Sequence, residues 1–251
     1  MTNQYTCELD GVSLSGLDDR ICILDIQEDA PRLRSSAFLL PGGGQRLTQA
    51  RESLTVRVTF TIQEENPTQR KKAVQAVLAW AMQGGVLTVS DHPGQRLTVS
   101  CTALPAVTCE DWTEPLTIAF TTTHCPYWED ASATVITGTG AQTLTVPGTA
   151  ESAPVDATIT NTGAEDVTRV IIQCGASCII FEDILLPAGG KLILQVRDGL
   201  LSAHIYGEGI LPNRTTNSAD LLLAPCGKAC TVYATALQPL QATFSARGRY
   251  V

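Results

Sequence analysis

Between Ser53 and Ile62 apolar and polar residues alternate without a break. Leu54, Val56, Val58, Phe60 and Ile62 stand against Ser53, Thr55, Arg57, Thr59 and Thr61. A period of two sustained over about ten residues predicts a strand with one buried and one polar face. The period then changes. Asn66 is a capping residue, Pro67 suits a first helical position and Gly84-Gly85 supplies a stop, which predicts a helix over Pro67 to Met82. Val74, Val77, Leu78 and Ala81 fall on one side of it with Met82 at the edge, and Lys72, Ala76 and Gln83 lie opposite. Such a helix should lie across a sheet. Upstream, Arg20 to Ile26 predicts a strand, whereas Pro31 to Arg51 reads as a loop around Pro41-Gly42-Gly43-Gly44. Downstream, Val86 to Val89, Arg96 to Cys101 and Leu116 to Phe120 predict strands, the first two joined by the turn Asp91-His92-Pro93-Gly94.

Past Pro126 to Gly140 the helical period disappears. Eight short apolar runs follow: Thr143 to Val146, Val155 to Thr160, Val167 to Gln173, Cys178 to Phe181, Lys191 to Arg197, Leu200 to Tyr206, Ala229 to Thr235 and Leu240 to Ser245. Turn signals separate them, among them Asn161-Thr-Gly, Pro187-Ala-Gly-Gly and Pro225-Cys-Gly. Asp198-Gly199 is a hairpin signal, because a two-residue turn needs positive φ at its centre. This spacing predicts a β-sandwich or jelly roll. The expected organisation is a helix-on-sheet domain over 1-132 and a helix-free β-sandwich over 133-251. The fold class is mainly β.

Composition narrows the function. The chain has 251 residues, 44% of them hydrophobic and 17% charged, so it can bury a core and is not disordered by composition. With 17 Lys and Arg against 25 Asp and Glu, its net charge is −8. An acidic chain without a basic cluster is a poor partner for nucleic-acid phosphates, so no specific nucleic acid is expected. No apolar run approaches the roughly 18 residues needed to span a bilayer, so no membrane partner is expected either. The start, Met1 to Glu8, carries neither a basic nor an apolar segment of a secretory signal. Nine cysteines without such a signal are expected to be reduced.

Candidate chemistry is sparse. Cys174-Gly-Ala-Ser-Cys178 and Cys226-Gly-Lys-Ala-Cys230 repeat a Cys-x3-Cys spacing, and four thiolates could hold zinc. Residues four apart on one extended strand lie about 13 Å apart, so buried thiols are the expectation unless the glycines bend the chain. His124-Cys125 puts a base beside a thiol, but neighbours on a strand face opposite ways. Asp91-His92 lies in a surface turn. Gly138-Thr-Gly and Gly207-Glu-Gly209 read as turns, since neither joins a strand to a helix as a phosphate loop does. A sugar site would use exposed aromatic rings, yet Trp80, Trp112 and Trp128 all precede the sandwich, which offers Tyr206, Tyr233 and Tyr250 with Phe181 and Phe244. No catalytic, cofactor-binding or metal-binding residue is expected, and no cofactor.

Taken in order, these features resemble a known family. The alternating strand Arg51 to Ile62 precedes the helix with its late Trp80. There follow Leu87-Thr-Val-Ser-Asp91 into the Asp-x-Pro-Gly turn, Glu114-Pro-Leu-Thr-Ile-Ala-Phe120, and Cys125-Pro-Tyr-Trp128. The end, Phe244-Ser-Ala-Arg-Gly-Arg-Tyr250, is basic and aromatic. This succession is similar to the distal tail proteins of long-tailed phages, components of the tail-tip and baseplate hub, over nearly the full length. The high cysteine content departs from that pattern. The resemblance implies a tail-tube-like β-sandwich or barrel with one α-helix, followed by a galectin-like β-sandwich. It further implies a homo-oligomer, a hexameric ring, between the tail tube protein and a tail-tip, baseplate or tail-associated lysin protein. Its expected location is the virion tail of a phage or prophage, assembled in the bacterial host cytoplasm. A structural role without enzyme activity is the leading expectation. The alternative is a carbohydrate-binding module for host adsorption.

Overall fold

The computed structural model describes residues 5–39, 45–105, 114–197 and 199–251. Pro41 to Gly44, Cys109, Trp112 and Asp198 lie outside them. The chain divides into two compact units, Met1–Trp128 and Glu129–Val251.

The first unit contains β1 (Cys7–Leu9), β2 (Val12–Ser13), β3 (Ile21–Glu28), β4 (Arg32–Leu39), β5 (Gln45–Ser53), β6 (Thr55–Ile62), α1 (Pro67–Met82), β7 (Gly85–Val89), β8 (Gln95–Ala103) and β9 (Leu116–Thr122). Its main sheet runs β2-β1-β7-β8-β9-β6-β3 with every named pair antiparallel. The alternation in β6 works as its pattern requires. Leu54, Val56, Val58, Phe60 and Ile62 are all at most 1% exposed, while Thr55, Arg57, Thr59 and Thr61 face away from the core. Ile118 and Phe120 of β9 and Leu97 and Val99 of β8 extend that buried layer.

Helix α1 closes over it. Asn66 caps the helix by accepting from the backbone N–H of Thr68 and Gln69, at 3.0 and 3.3 Å. Gly84, at φ +63°, takes the left-handed conformation that ends it. The buried face consists of Arg70, Ala73, Val74, Val77, Trp80 and Ala81. It is rotated from the expected one: Leu78 is half-buried and Met82 is 70% exposed. The reason is Trp80, whose large ring packs edge-on to Phe120 at 5.8 Å and donates its Nε1–H to Val12 O at 3.0 Å. Burying that ring draws the 73-77-80 row inwards.

The expected loop over Pro31 to Arg51 is overturned. β4 and β5 are two long antiparallel strands paired from Arg32 opposite Ser53 to Leu39 opposite Gln45.

The second unit begins on β10 (Trp128–Asp130), whose first residue belongs to the first unit. It continues with β11 (Thr134–Thr139), β12 (Gln142–Thr145), β13 (Ser152–Asn161), β14 (Val170–Cys174), β15 (Ser177–Phe181), β16 (Lys191–Arg197), β17 (Leu200–Ile205), β18 (Glu208–Gly209), β19 (Leu223–Pro225), β20 (Ala229–Thr235), β21 (Leu240–Ala246) and β22 (Arg249–Tyr250). One sheet runs β11-β21-β13-β16-β17-β18, with β19 also on β13, and the other runs β12-β20-β14-β15. Their inner faces form a sandwich core. Val155, Ala157, Ile159, Leu192, Leu194 and Phe244 come from the first sheet, and Leu144, Val170, Ile172, Ile179, Phe181 and Val232 from the second. All eight strands expected from the sequence are present. The fold is mainly β, and α1 is the one α-helix among the described residues.

Two backbone sites fix turns in this unit. Arg197 lies opposite Leu200 across a tight connection whose Gly199 has φ +75°. Gly148 has φ +123°, and a Cβ there would lie 2.2 Å from Arg249 O, so only glycine admits the C-terminal strand. Arg249 is anchored there by its ion pair with Glu129 at 2.9 Å.

One buried polar side chain, Asn161, is fully satisfied. Its Nδ2 donates to Glu165 O and Leu186 O at 2.8 and 3.0 Å, and its Oδ1 accepts from Gly163 N–H at 2.9 Å. It staples the connection after β13 to the core.

Candidate assembly surfaces

The polar face of the first unit's sheet is an ordered hydroxyl array. Register places Thr55 opposite Thr121 and Thr59 opposite Thr117. Their hydroxyls meet at 2.9 and 3.0 Å, and Thr121 is also 2.9 Å from Thr102 on β8. Beside them Arg57 donates to both carboxylate oxygens of Asp29, at 2.9 and 3.1 Å. Hydrogen bonding to that guanidinium lowers the carboxyl's pKa from its ordinary value. This face can exchange hydrogen bonds with water or with a neighbouring protein surface.

The second surface is the β4–β5 hairpin. It forms a sheet of two strands, and neither strand pairs with any other among the described residues. Both outer edges therefore present backbone donors and acceptors. Eight residues of β4 at about 3.3 Å each give an arm of about 26 Å. At its base, the Arg51 guanidinium lies 5.4 Å from the centre of the Tyr127 ring. The sequence carried only a weak sign of this element, two runs of similar length flanking Pro41-Gly-Gly-Gly.

The residues singled out for chemistry are dispersed. His92 is no isolated surface group: its ring stacks on Trp128 at 4.0 Å, and its Nε2 is 3.3 Å from Glu28 Oε2. His124 and Cys125 lie in the bend between β9 and β10 and not on a strand, and Cys125 Sγ approaches Tyr127 O at 3.8 Å. Gly138 to Gly140 ends β11, and Gly207 to Gly209 turns β17 into β18, so both glycine segments are turns.

The cysteine repeat is arranged otherwise than its spacing suggested. Cys174 and Cys178 do not share one extended strand. Gly175-Ala176 forms a two-residue turn between β14 and β15, with Gly175 at φ +53°. Cys174 faces the core and Cys178, opposite Gln173, faces away. The turn instead brings Cys174 beside Cys230 of the other repeat, with 3.9 Å between the sulfurs. Burial and the neighbouring thiol push Cys174 up to about 12. Among the described residues, no group of three or more His, Cys, Asp or Glu side chains is placed to hold a metal ion.

In the second unit Tyr206 is 74% exposed in the β17–β18 turn, whereas Tyr233 is tied to Gln173 by a short hydrogen bond of 2.5 Å. A shallow depression beside the β20–β21 turn is lined by Thr139, Gly140, Thr235, Leu237, Gln238 and neighbouring residues, none aromatic.

No protein-family model matches the sequence, and no curated protein matches it. The likeness lies in structure. The chain is similar to the Dit protein (gp 19.1) of phage SPP1, described as a paradigm of the hub adsorption apparatus in phages infecting Gram-positive hosts. The TM-score is 0.69 at 14% identity, covering 97% of this chain and 98% of that one. Two structures of the phage P2 baseplate in its activated conformation, with calcium and with strontium, align at TM-score 0.47, with 10% and 9% identity. These alignments cover 99% and 97% of this chain and 98% and 97% of those chains. The chain therefore has a Dit-like β-rich fold over almost its whole length.

Proposed function

We propose that this chain is a structural ring protein of a phage tail tip, joining the tail tube to the baseplate or adsorption apparatus. The observation that carries this reading is the end-to-end likeness to the SPP1 Dit hub protein, over 97% of this chain and 98% of that one. Two features of the chain itself support it. The β4–β5 hairpin is a long two-stranded ribbon, and such a ribbon is marginal alone and gains from pairing with another chain. The threonine array offers a polar face for a neighbour or a tube lumen.

A repeated head-to-tail contact through the hairpin either closes into a ring or grows a filament. A tube requires closure, and six copies match the hub reading. The protein acts by assembly, without enzymatic chemistry, in the virion tail. Its partners are further copies of itself, the tail tube protein and a tail-tip or tail-associated lysin protein.

Light scattering coupled to size exclusion tests this on the full chain. The expected species is about 160 kDa, six times the 26.7 kDa of one chain. A stable two-fold dimer would overturn the ring. Specific glycan binding by the full chain, without any ring, would favour the adsorption-module alternative.

A further inference from the structure

We propose that Cys174 and Cys230 form a reversible dithiol–disulfide site that locks the second sheet of the sandwich. The two thiols come from different strands and from the two Cys-x3-Cys segments. Their sulfurs stand 3.9 Å apart, close enough that small side-chain rotations bring them to the roughly 2.05 Å of a disulfide. The surroundings allow that movement. Cys174 ends β14 at the Gly175-Ala176 turn, and Cys230 is the second residue of β20. Gly175 N–H donates to Thr231 O at 2.9 Å, which holds the two strand ends together while leaving the side chains to rotate.

The two thiols differ in access, and this sets the order of events. Cys174 is buried and also approaches Leu223 O at 3.5 Å, whereas Cys230 is half-exposed. A small-molecule disulfide such as oxidised glutathione is therefore attacked first by Cys230. The thiolate of Cys230 bonds to one glutathione sulfur, the S–S bond of the oxidant breaks, and glutathione leaves as its thiolate. Cys174 then gives up its proton, its sulfur attacks Cys230 Sγ, and the second glutathione departs. Two protein thiols are oxidised to one disulfide, and one small disulfide is reduced to two thiols that take up both protons. The high pKa of Cys174 keeps the second step slow at neutral pH and faster in mild alkali.

A bridge between Cys174 and Cys230, 56 residues apart in the chain, would close one long loop within the second unit. Such long-loop crosslinks restrict the unfolded state strongly. The site is silent in a reducing cytosol and closes once the protein meets an oxidising medium.

The test treats the full chain with oxidised glutathione and counts thiols after denaturation. Nine thiols should fall to seven, with a Cys174–Cys230 crosslink in the peptide map. The melting temperature should rise by at least about 5 °C and return on reduction. Cys230→Ser should abolish the crosslink, Cys174→Ala should leave only a glutathione adduct on Cys230, and Cys178→Ser should still crosslink. Nine remaining thiols, a stable adduct on the unaltered chain, or linkage between other cysteines would overturn the proposal.

Discussion

The indole Nε1–H of Trp128 donates to Glu28 Oε2 at 2.9 Å, across one hundred residues of chain. Trp128 is 2% exposed, and the ring of His92 stacks on it at 4.0 Å while facing the same carboxylate. The end of β3, the turn before β8 and the last residue of the first unit are thereby fastened at one point. An aromatic closing segment was legible in Cys125-Pro-Tyr-Trp128, but its partners were not.

Trp128→Phe removes the donor and leaves part of Glu28 without its partner. The expected loss is about 1–3 kcal/mol of first-unit stability, read as a lower melting temperature. Glu28→Gln keeps an acceptor and should be milder. If Trp128→Phe melts with the unaltered protein, the hydrogen bond does not fasten the unit.

The helix face is tested by charge. Val77 is fully buried, so Val77→Asp should destabilise by several kcal/mol or prevent folding. Leu78→Asp, at a half-buried position, should cost less. Lys72→Asp on the exposed side should stay within about 0.5 kcal/mol. Equal effects at 77 and 78 would restore the face expected from sequence alone.

Asn161 saturates three backbone groups from a fully buried position. Asn161→Ala takes a partner from Glu165 O and Gly163 N–H, while Leu186 O keeps the Val167 N–H, and should cost about 1–3 kcal/mol in the second unit. Hydrogen exchange should locate the loosening at 161–167 and 186–190. Unchanged protection there would contradict the stapling role.

Acid should weaken the first unit through Asp18. Hydrogen bonds from Arg20 hold its carboxyl down to about 2 from an ordinary 3.8. The folded value lies below the unfolded one, so the stabilisation is complete above about pH 4. It is lost as pH falls through about 2. Arg20 also bonds Glu64, and Glu64 is likewise held below its ordinary value, chiefly by the Asn66 N–H. Arg20→Met should lower the melting temperature at pH 7, and the gap to the unaltered protein should close towards pH 2. A gap independent of pH would mean that Arg20 acts only by packing.

Periodic elements were legible because their signal is local. The β6 alternation, the Asn66 cap and the run Lys191 to Arg197 each state their structure within one turn or strand. The face of α1 was misjudged because a bulky Trp80 outweighs the average position of smaller apolar residues. The β4–β5 arms were missed because their sequences, Arg32 to Leu39 and Gln45 to Ser53, lack the apolar alternation that identifies strands. Strands such as β2, β18 and β22 have two residues each and carry no period at all. The Cys174–Cys230 approach depends on register between strands 56 residues apart, which no spacing along the chain encodes.

Electron microscopy of the purified full chain, with no symmetry imposed on the images, tests the assembly reading most directly. The account predicts closed rings with six-fold averages, each subunit's β4–β5 hairpin lying against its neighbour. Two-fold dimers, open filaments, or rings in which the hairpin touches no neighbouring subunit would contradict it.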